Sequence, residues 1–240
     1  MRLFIIRHAD PDYPNNTITA AGHLEAQALA VRMTRLGLDR IYTSPLGRAR
    51  DTARYTADAL GIEPVVLPWT AELPWPRITQ EVLGESTPWD LHGYTLRQWQ
   101  KEPTTRNWPE FPPLSAAEYR EGFATLGAGS DAFVAGLGYR REDAGGAAGG
   151  VYRVEAGNRE KVAVFCHGGF GLTWLAHLLA VPLPVMWAGF FLPPSSVTTV
   201  LFDERGEGLA VPRCVGLGDV SHLYAAGLPV QPSGIKANVD

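Results

Sequence analysis

The run Leu3-Phe4-Ile5-Ile6 closes on Arg7-His8, and no other stretch narrows the possible folds so far. Apolar residues fill both alternating faces, the pattern of a parallel strand covered by helices on each side. A cation and an imidazole then fall at the strand's carboxyl end, where open α/β sheets bind ligands. Far downstream, Val162-Ala163-Val164-Phe165-Cys166 closes in the same way on His167. Two such strands predict one sheet edge carrying two imidazoles.

The stretch 9–16 contains Pro11, Pro14, Asn15 and Asn16 and reads as a loop under which a phosphate-sized ligand fits. Thr19 is the expected N-cap of a first helix, with Leu24, Ala28, Val31 and Leu36 as its apolar stripe and Gly37 as its stop. A second strand over 39–44 ends at Pro45, a helix runs over 46–60 to Gly61, and a third strand over 64–69 leads into Glu72. From Leu73 to about Leu114 tryptophans and prolines dominate, too irregular for regular sheet and too aromatic for disorder, which reads as an inserted lid. Ser115-Ala116-Ala117-Glu118 matches a capping box opening a helix towards about Leu137, and the Gly- and Ala-rich stretch 143–150 reads as an exposed, mobile turn. After the His167 strand, Gly168-Gly169 open an apolar helix through Ala180, closed by Pro182 and Pro184. Strands are expected over 197–202 and 209–215, and the tail after Leu228 carries too few apolar residues to pack firmly. This alternation predicts a three-layer α/β/α fold with a mainly parallel central sheet. It forms one domain over 1–240 with a Trp/Pro-rich lid inserted at about 73–155.

With 240 residues and 45% hydrophobic content the chain can bury a sizeable core. A net charge of -4 with no long Lys/Arg run gives no footprint for nucleic acid or a membrane surface. No apolar run approaches the roughly 20 residues of a membrane span, so a cytoplasmic protein acting on a small molecule is expected. Two cysteines, Cys166 and Cys214, make no disulfide framework. Cys166 beside His167 invites a thiol-phosphatase reading, but that chemistry needs an arginine soon after the cysteine and 168–175 has none. Cys166 is therefore a buried thiol.

Arg48 falls in the first turns of the helix after the second strand, where backbone N–H groups, the macrodipole and a guanidinium together favour an anion. The alternative, in which Arg48 and Arg50 pair with Asp51 or Glu63 on a solvated face, stays open. His23 and His177 read as surface and core residues, His92 stays open, and His222 reads as a support to the site.

At this point the chain resembles a family. Arg7-His8-Ala9 is similar to the Arg-His-Gly signature of the histidine phosphatase superfamily, phosphoglycerate-mutase-like branch (branch 1). Thr19 to Ala28, Ser44 to Ala53, Ala71-Glu72-Leu73, Phe165 to Gly169 and, more weakly, Asp219 to Leu223 resemble further segments of that family in the same order. The resemblance implies His8 as nucleophile through a phosphohistidine and Glu72 as acid and base, with Glu81, Glu85 and Asp90 as alternatives for that proton. It implies Arg7, Arg48, His167 and the backbone at Gly168 and Gly169 as the phosphate clamp, with no metal and no cofactor. Two departures matter: Ala9 replaces a glycine, and Pro14 stands where relatives often carry a phosphate-contacting Asn, leaving Asn15 or Asn16 to substitute.

The expected activity is hydrolysis of a small phosphorylated metabolite. The alternatives are a phosphoglycerate-type mutase and a non-catalytic phosphate-binding regulatory protein on the same fold. Mutases need extra basic residues for a second acidic group, and here Arg77, Arg97, Lys101 and Arg106 are scattered among acids. The residues leave the physiological ester and the oligomeric state open.

Overall fold

Strand β1 (Arg2–Arg7) buries Leu3, Phe4, Ile5 and Ile6 completely, two on each face of the sheet. Burying each such side chain contributes about 1.5–3 kcal/mol, which makes this strand the anchor of two core layers. A computed structural model of the protein describes residues 1–142 and 149–235. The reading of 143–150 as a turn falls largely outside them.

After β1 come β2 (Pro11–Asp12), β3 (Thr17–Ile18), α1 (Ala20–Leu36), β4 (Arg40–Thr43), α2 (Gly47–Leu60) and β5 (Val65–Val66). The middle of the chain holds a small hairpin, β6 (Ile78–Gln80) and β7 (Gly84–Ser86), then α3 (Gly93–Arg97) and α4 (Ala117–Gly136). Next are β8 (Tyr139–Arg141), β9 (Tyr152–Val154), β10 (Lys161–Cys166), α5 (Gly168–Leu179), α6 (Leu183–Gly189), β11 (Val197–Gly206), β12 (Leu209–Asp219) and α7 (Ser221–Ala225).

The main sheet runs β5-β4-β10-β1-β11-β12-β9-β8. From β5 to β1 every pairing is parallel, and this half carries both predicted histidines. From β1 to β8 every pairing is antiparallel, because the long hairpin β11–β12 needs no crossover helix. One face packs Phe4, Ile6, Ala163 and Phe165 against Leu29 and Met33 of α1 and Ala53 and Ala57 of α2. The other packs Leu3, Ile5, Val162 and Val164 against Phe170, Trp174 and Leu178 of α5, giving the three layers. No helix among the described residues is long and apolar enough to cross a membrane.

Several local expectations hold. Thr19 Oγ1 accepts the Gly22 N–H as N-cap, Gly37 caps the far end of α1, and Gly61 closes α2 in a left-handed conformation. Others differ. Leu24 and Val31 are 50% and 55% exposed, and α1 buries Gly22, Ala26, Leu29, Ala30 and Met33 instead. The reason lies at Gly22, where a Cβ would fall 2.4 Å from the Asp10 carbonyl; that close approach turns the neighbouring face inward. Ser115 caps nothing, for α4 begins after Ala116 without a side-chain cap. The stretch read as a lid contains the β6–β7 hairpin that its irregular sequence concealed. Its tryptophans largely pack, Trp75 edge-on to Tyr119 and Trp187, Trp99 stacked on Phe111, and Trp108 buried. The tail past Leu228 is not loose as far as 235: Ser233 bonds both Arg7 and Asp10.

Candidate active site

The register of the parallel strands decides which side chains meet. Arg7 pairs with Cys166 and Phe165 with Thr43, so His8, His167 and Ser44 each follow directly at three adjacent strand ends. The backbone continues the ladder, with His8 N–H donating to the Cys166 carbonyl at 2.9 Å and Ser44 N–H to that of Phe165 at 2.8 Å. Both imidazoles are buried, with ring centroids 5.2 Å apart.

The partner of His8 fixes its tautomer, and His167 faces a hydroxyl. His8 Nδ1 lies 2.8 Å from the Ala9 carbonyl oxygen, which can only accept, so Nδ1 carries the proton and the neutral ring presents Nε2 as a free lone pair. His167 Nε2 lies 2.7 Å from Ser44 Oγ, which itself accepts the Leu46 N–H. With the hydroxyl proton given to Nε2, the hydrogen of His167 lies on Nδ1, the tautomer that offers a donor to an anion. Burial, then the Arg7 charge and the second ring, hold His8 well below the ordinary histidine range. His167 is lowered likewise by burial and by Arg48 and Arg7. Both rings are neutral at physiological pH.

Arg7 donates from Nη1 to the Leu192 carbonyl at 2.6 Å and from Nη2 to that of Ser233 at 3.0 Å, which fixes the guanidinium at both ends. Arg48 projects from the first turn of α2 and donates from Nη1 to Asn16 Oδ1 at 3.2 Å. Arg7 Nε, Arg48 Nε and His167 Nδ1 are buried donors without a partner. A buried donor left unsatisfied costs about 1–3 kcal/mol, so three at one place describe a cradle for an anion.

Glu72, just past the 3-10 turn Pro68–Thr70, reaches the N-terminus of α5 and accepts the N–H groups of Phe170 at 2.8 Å and Gly169 at 3.3 Å. Its own neighbour Leu73 donates a third at 3.1 Å. The surrounding protein desolvates the carboxyl and raises its pKa, while these amides and Arg7 oppose the rise without cancelling it. The Gly169 N–H, expected on phosphate, is thus occupied by Glu72. Gly168 stays beside the guanidinium, where a Cβ would lie 3.3 Å from Arg7 Nε.

Arg7, Arg48, Glu72 and Gly168 line one cavity of about 230 Å³, together with Tyr13, Trp89, Asp90 and Phe191. A wider groove of about 830 Å³ along α2 gathers Arg50, Asp51 and Arg54 but none of these groups. Asn15 is the expected residue that does not arrive: it is exposed and its Nδ2 donates to Asp12 Oδ2 at 2.8 Å, while Asn16 takes the contact with Arg48. Asn16 itself sits in a left-handed turn, with φ 52°. Glu81 lies away from the cavity, and exposed Glu85 pairs with Arg77 at 2.7 Å. His92 is exposed and caps α3, His23 meets Tyr55, and His177 pairs with Asp131. Ala9 points its methyl into a small cluster with Ile18 and Ala26.

Of the residues that support the site, the sequence pointed to His222 and missed Thr52, Glu25 and Ser195. Ala9 N–H donates to Thr52 Oγ1, Asp10 N–H to Glu25 Oε2, and Ser195 N–H to the His8 carbonyl, while Ser195 Oγ meets His222 Nε2 at 3.1 Å. Thr52 and Glu25 sit mid-helix and Ser195 in a loop, with no local signal for partners this distant. Among the described residues no group of three or more His, Cys, Asp or Glu is placed to hold a metal ion.

A family model described as the histidine phosphatase superfamily (branch 1) matches residues 3–137. A probable phosphoglycerate mutase GpmB of Serratia proteamaculans (strain 568) is 26% identical over 111 residues, 42% of this chain and 49% of the relative. The chain therefore spans about half the length of the curated relatives it matches. Phosphoserine phosphatase of Entamoeba histolytica, solved with 3-phosphoglyceric acid, superposes with a TM-score of 0.59 at 17% identity over 92% of this chain and 98% of that one. Mycobacterial glucosyl-3-phosphoglycerate phosphatase with inorganic phosphate gives 0.56 at 18% identity over 92% and 98%. These likenesses establish the shared fold.

Proposed function

The chain belongs to the histidine phosphatase superfamily, branch 1, and from that premise we propose a phosphomonoesterase that hydrolyses a small phosphorylated metabolite through a phosphohistidine on His8, without a metal. The observation that carries this reading is the set of three orphaned donors, Arg7 Nε, Arg48 Nε and His167 Nδ1, beside a neutral imidazole whose Nε2 is free.

His8 Nε2 attacks phosphorus as the bond to the alcohol oxygen breaks, and Glu72 passes its proton to that oxygen. The two arginines and His167 hold the three equatorial oxygens, where charge spreads in the transition state. Glu72, now a carboxylate, takes a proton from water as the water attacks phosphorus; the P–N bond breaks and neutral His8 and phosphate return. The raised pKa of Glu72 suits the first step, and its three amide donors steady the anion of the second. In this reading the segment from Leu73 onward is the lid, since it brings Trp89 and Asp90 to the cavity.

A mutase reading draws on the names of the curated relatives, which match 42% of the chain. It is disfavoured because Arg7 and Arg48 are the cations lining the cavity among the described residues, and both belong to the phosphate cradle.

Rapid quenching with an aryl phosphate in the presence of chelator should trap acid-labile phosphate on wild-type protein. His8→Ala should lose it together with about 10³-fold or more in kcat, with unchanged far-UV circular dichroism. Chelator inhibition reversed by zinc would replace the metal-free mechanism, and interconversion of phosphoglycerates without phosphate release would favour the mutase. Phosphate binding without any phosphoenzyme would leave a regulatory binder.

A further inference from the structure

Beyond the phosphate cradle the cavity is rimmed by the 3-10 turn Pro88–Asp90, and this turn is rigidly held. Buried Gln80 donates to Ser86 Oγ at 2.6 Å and to the Asp90 carbonyl at 3.0 Å, and it accepts the His92 N–H at 2.7 Å, so one amide ties three points of the turn. Trp89 lies on α5 where Gly169 has no side chain; a Cβ there would fall 2.4 Å from the indole. Asp90 Oδ2 accepts the Thr87 hydroxyl at 2.5 Å, which orients the carboxylate and leaves Oδ1 for a ligand.

The charge pattern is one-sided. Once a phosphoryl group occupies Arg7 and Arg48, the remaining ionisable groups lining the cavity among the described residues are acids, Glu72 and Asp90, and Tyr13. A carboxylate on the alcohol half of a substrate would meet the Asp90 carboxylate, and the cations near Asp90 are already engaged, Arg7 by the phosphoryl group and Arg77 by Glu85. An ammonium would meet the Asp90 carboxylate and an indole face, two surfaces that each favour a cation. The space these residues bound, about 230 Å³, is smaller than the about 300–1,000 Å³ typical of drug-sized ligands and suits a small alcohol.

We propose that the substrate is the phosphomonoester of a small alcohol bearing an ammonium group and no carboxylate, with the cation held between Asp90 and Trp89. This rests on the phosphomonoesterase reading above and makes Asp90 the residue that sets specificity.

The test compares 4-(aminomethyl)phenyl phosphate with 4-carboxyphenyl phosphate, esters of similar size and opposite charge. Phosphate release is followed on the wild type, and calorimetric binding on His8→Ala. The ammonium ester should be favoured about tenfold or more in kcat/KM and in Kd. Asp90→Asn, which keeps an acceptor for Thr87, should bring both ratios to within about threefold of one. Equal use of the two esters, or preference for the carboxylate, by the wild-type protein overturns the assignment whether or not the variant folds. So does a tenfold preference that survives in Asp90→Asn. Selective binding without turnover would sustain it while the hydrolase reading fell, and unselective turnover would do the reverse.

Discussion

Glu25 is the perturbation whose consequence can be worked furthest. It is 1% exposed on the inner face of α1; Oε2 accepts the Asp10 N–H at 3.0 Å, and Oε1 is buried without a partner. Burial is the largest influence on its carboxyl and, with the nearby Asp10 charge, outweighs the Asp10 amide, the Ser195 hydroxyl and Arg7, pushing the pKa up to about 7 from 4.5. The unfolded chain then releases the proton near pH 4.5 and the folded protein near 7, so stability is lost as pH rises through this window. At about 1.4 kcal/mol per pH unit the loss is about 3 kcal/mol. Glu25→Gln keeps an oxygen for the Asp10 N–H and cannot ionise. In urea unfolding it should match the wild type near pH 4.5 and exceed it by about 3 kcal/mol at pH 8. For a chain of this size that is a rise in Tm of about 6–12 °C. A pH-independent difference, or a variant less stable at pH 8, would refute the account of a desolvated carboxyl beneath the His8 loop.

Glu72→Gln removes the proton donor but keeps an acceptor for the α5 amides, so kcat should fall about 10²–10⁴-fold for alkyl phosphates and by less than about tenfold for 4-nitrophenyl phosphate, measured by phosphate release. His222, lowered to about 4 by burial and then by Arg32, carries the opposite pH signature to Glu25. Its stabilising contribution is present above pH 6.5 and lost as pH falls through 4, so His222→Gln should recover about 3 kcal/mol of acid stability in urea unfolding at pH 4 relative to pH 6.5.

What could be read in the residues was local chemistry at fixed spacing. An apolar run of strand length ending in Arg7-His8 or Cys166-His167 needs only the backbone's own period to put an imidazole at a strand end. The helix limits at Thr19, Gly37 and Gly61 followed from capping chemistry carried by a few neighbouring residues. The residues placed both imidazoles on one sheet edge, and the parallel pairing of the two strands brings His8 and His167 together.

The remainder was decided by docking. Which stripe of α1 faces inward depends on the closeness of Gly22 to Asp10, a contact between elements that the helical period alone leaves free to rotate. Whether Asn15 or Asn16 meets Arg48 depends on one left-handed residue in a loop. That Glu72 takes the amides at the start of α5 joins groups 98 positions apart, and the bonds from Ser44 to His167 and from Ser233 to Arg7 span 123 and 226. Composition and spacing assign kinds of side chain to strand ends and helix starts. Only the packed chain assigns partners, because a hydrogen bond is settled within a few tenths of an ångström and periodicity locates a side chain no better than to a face.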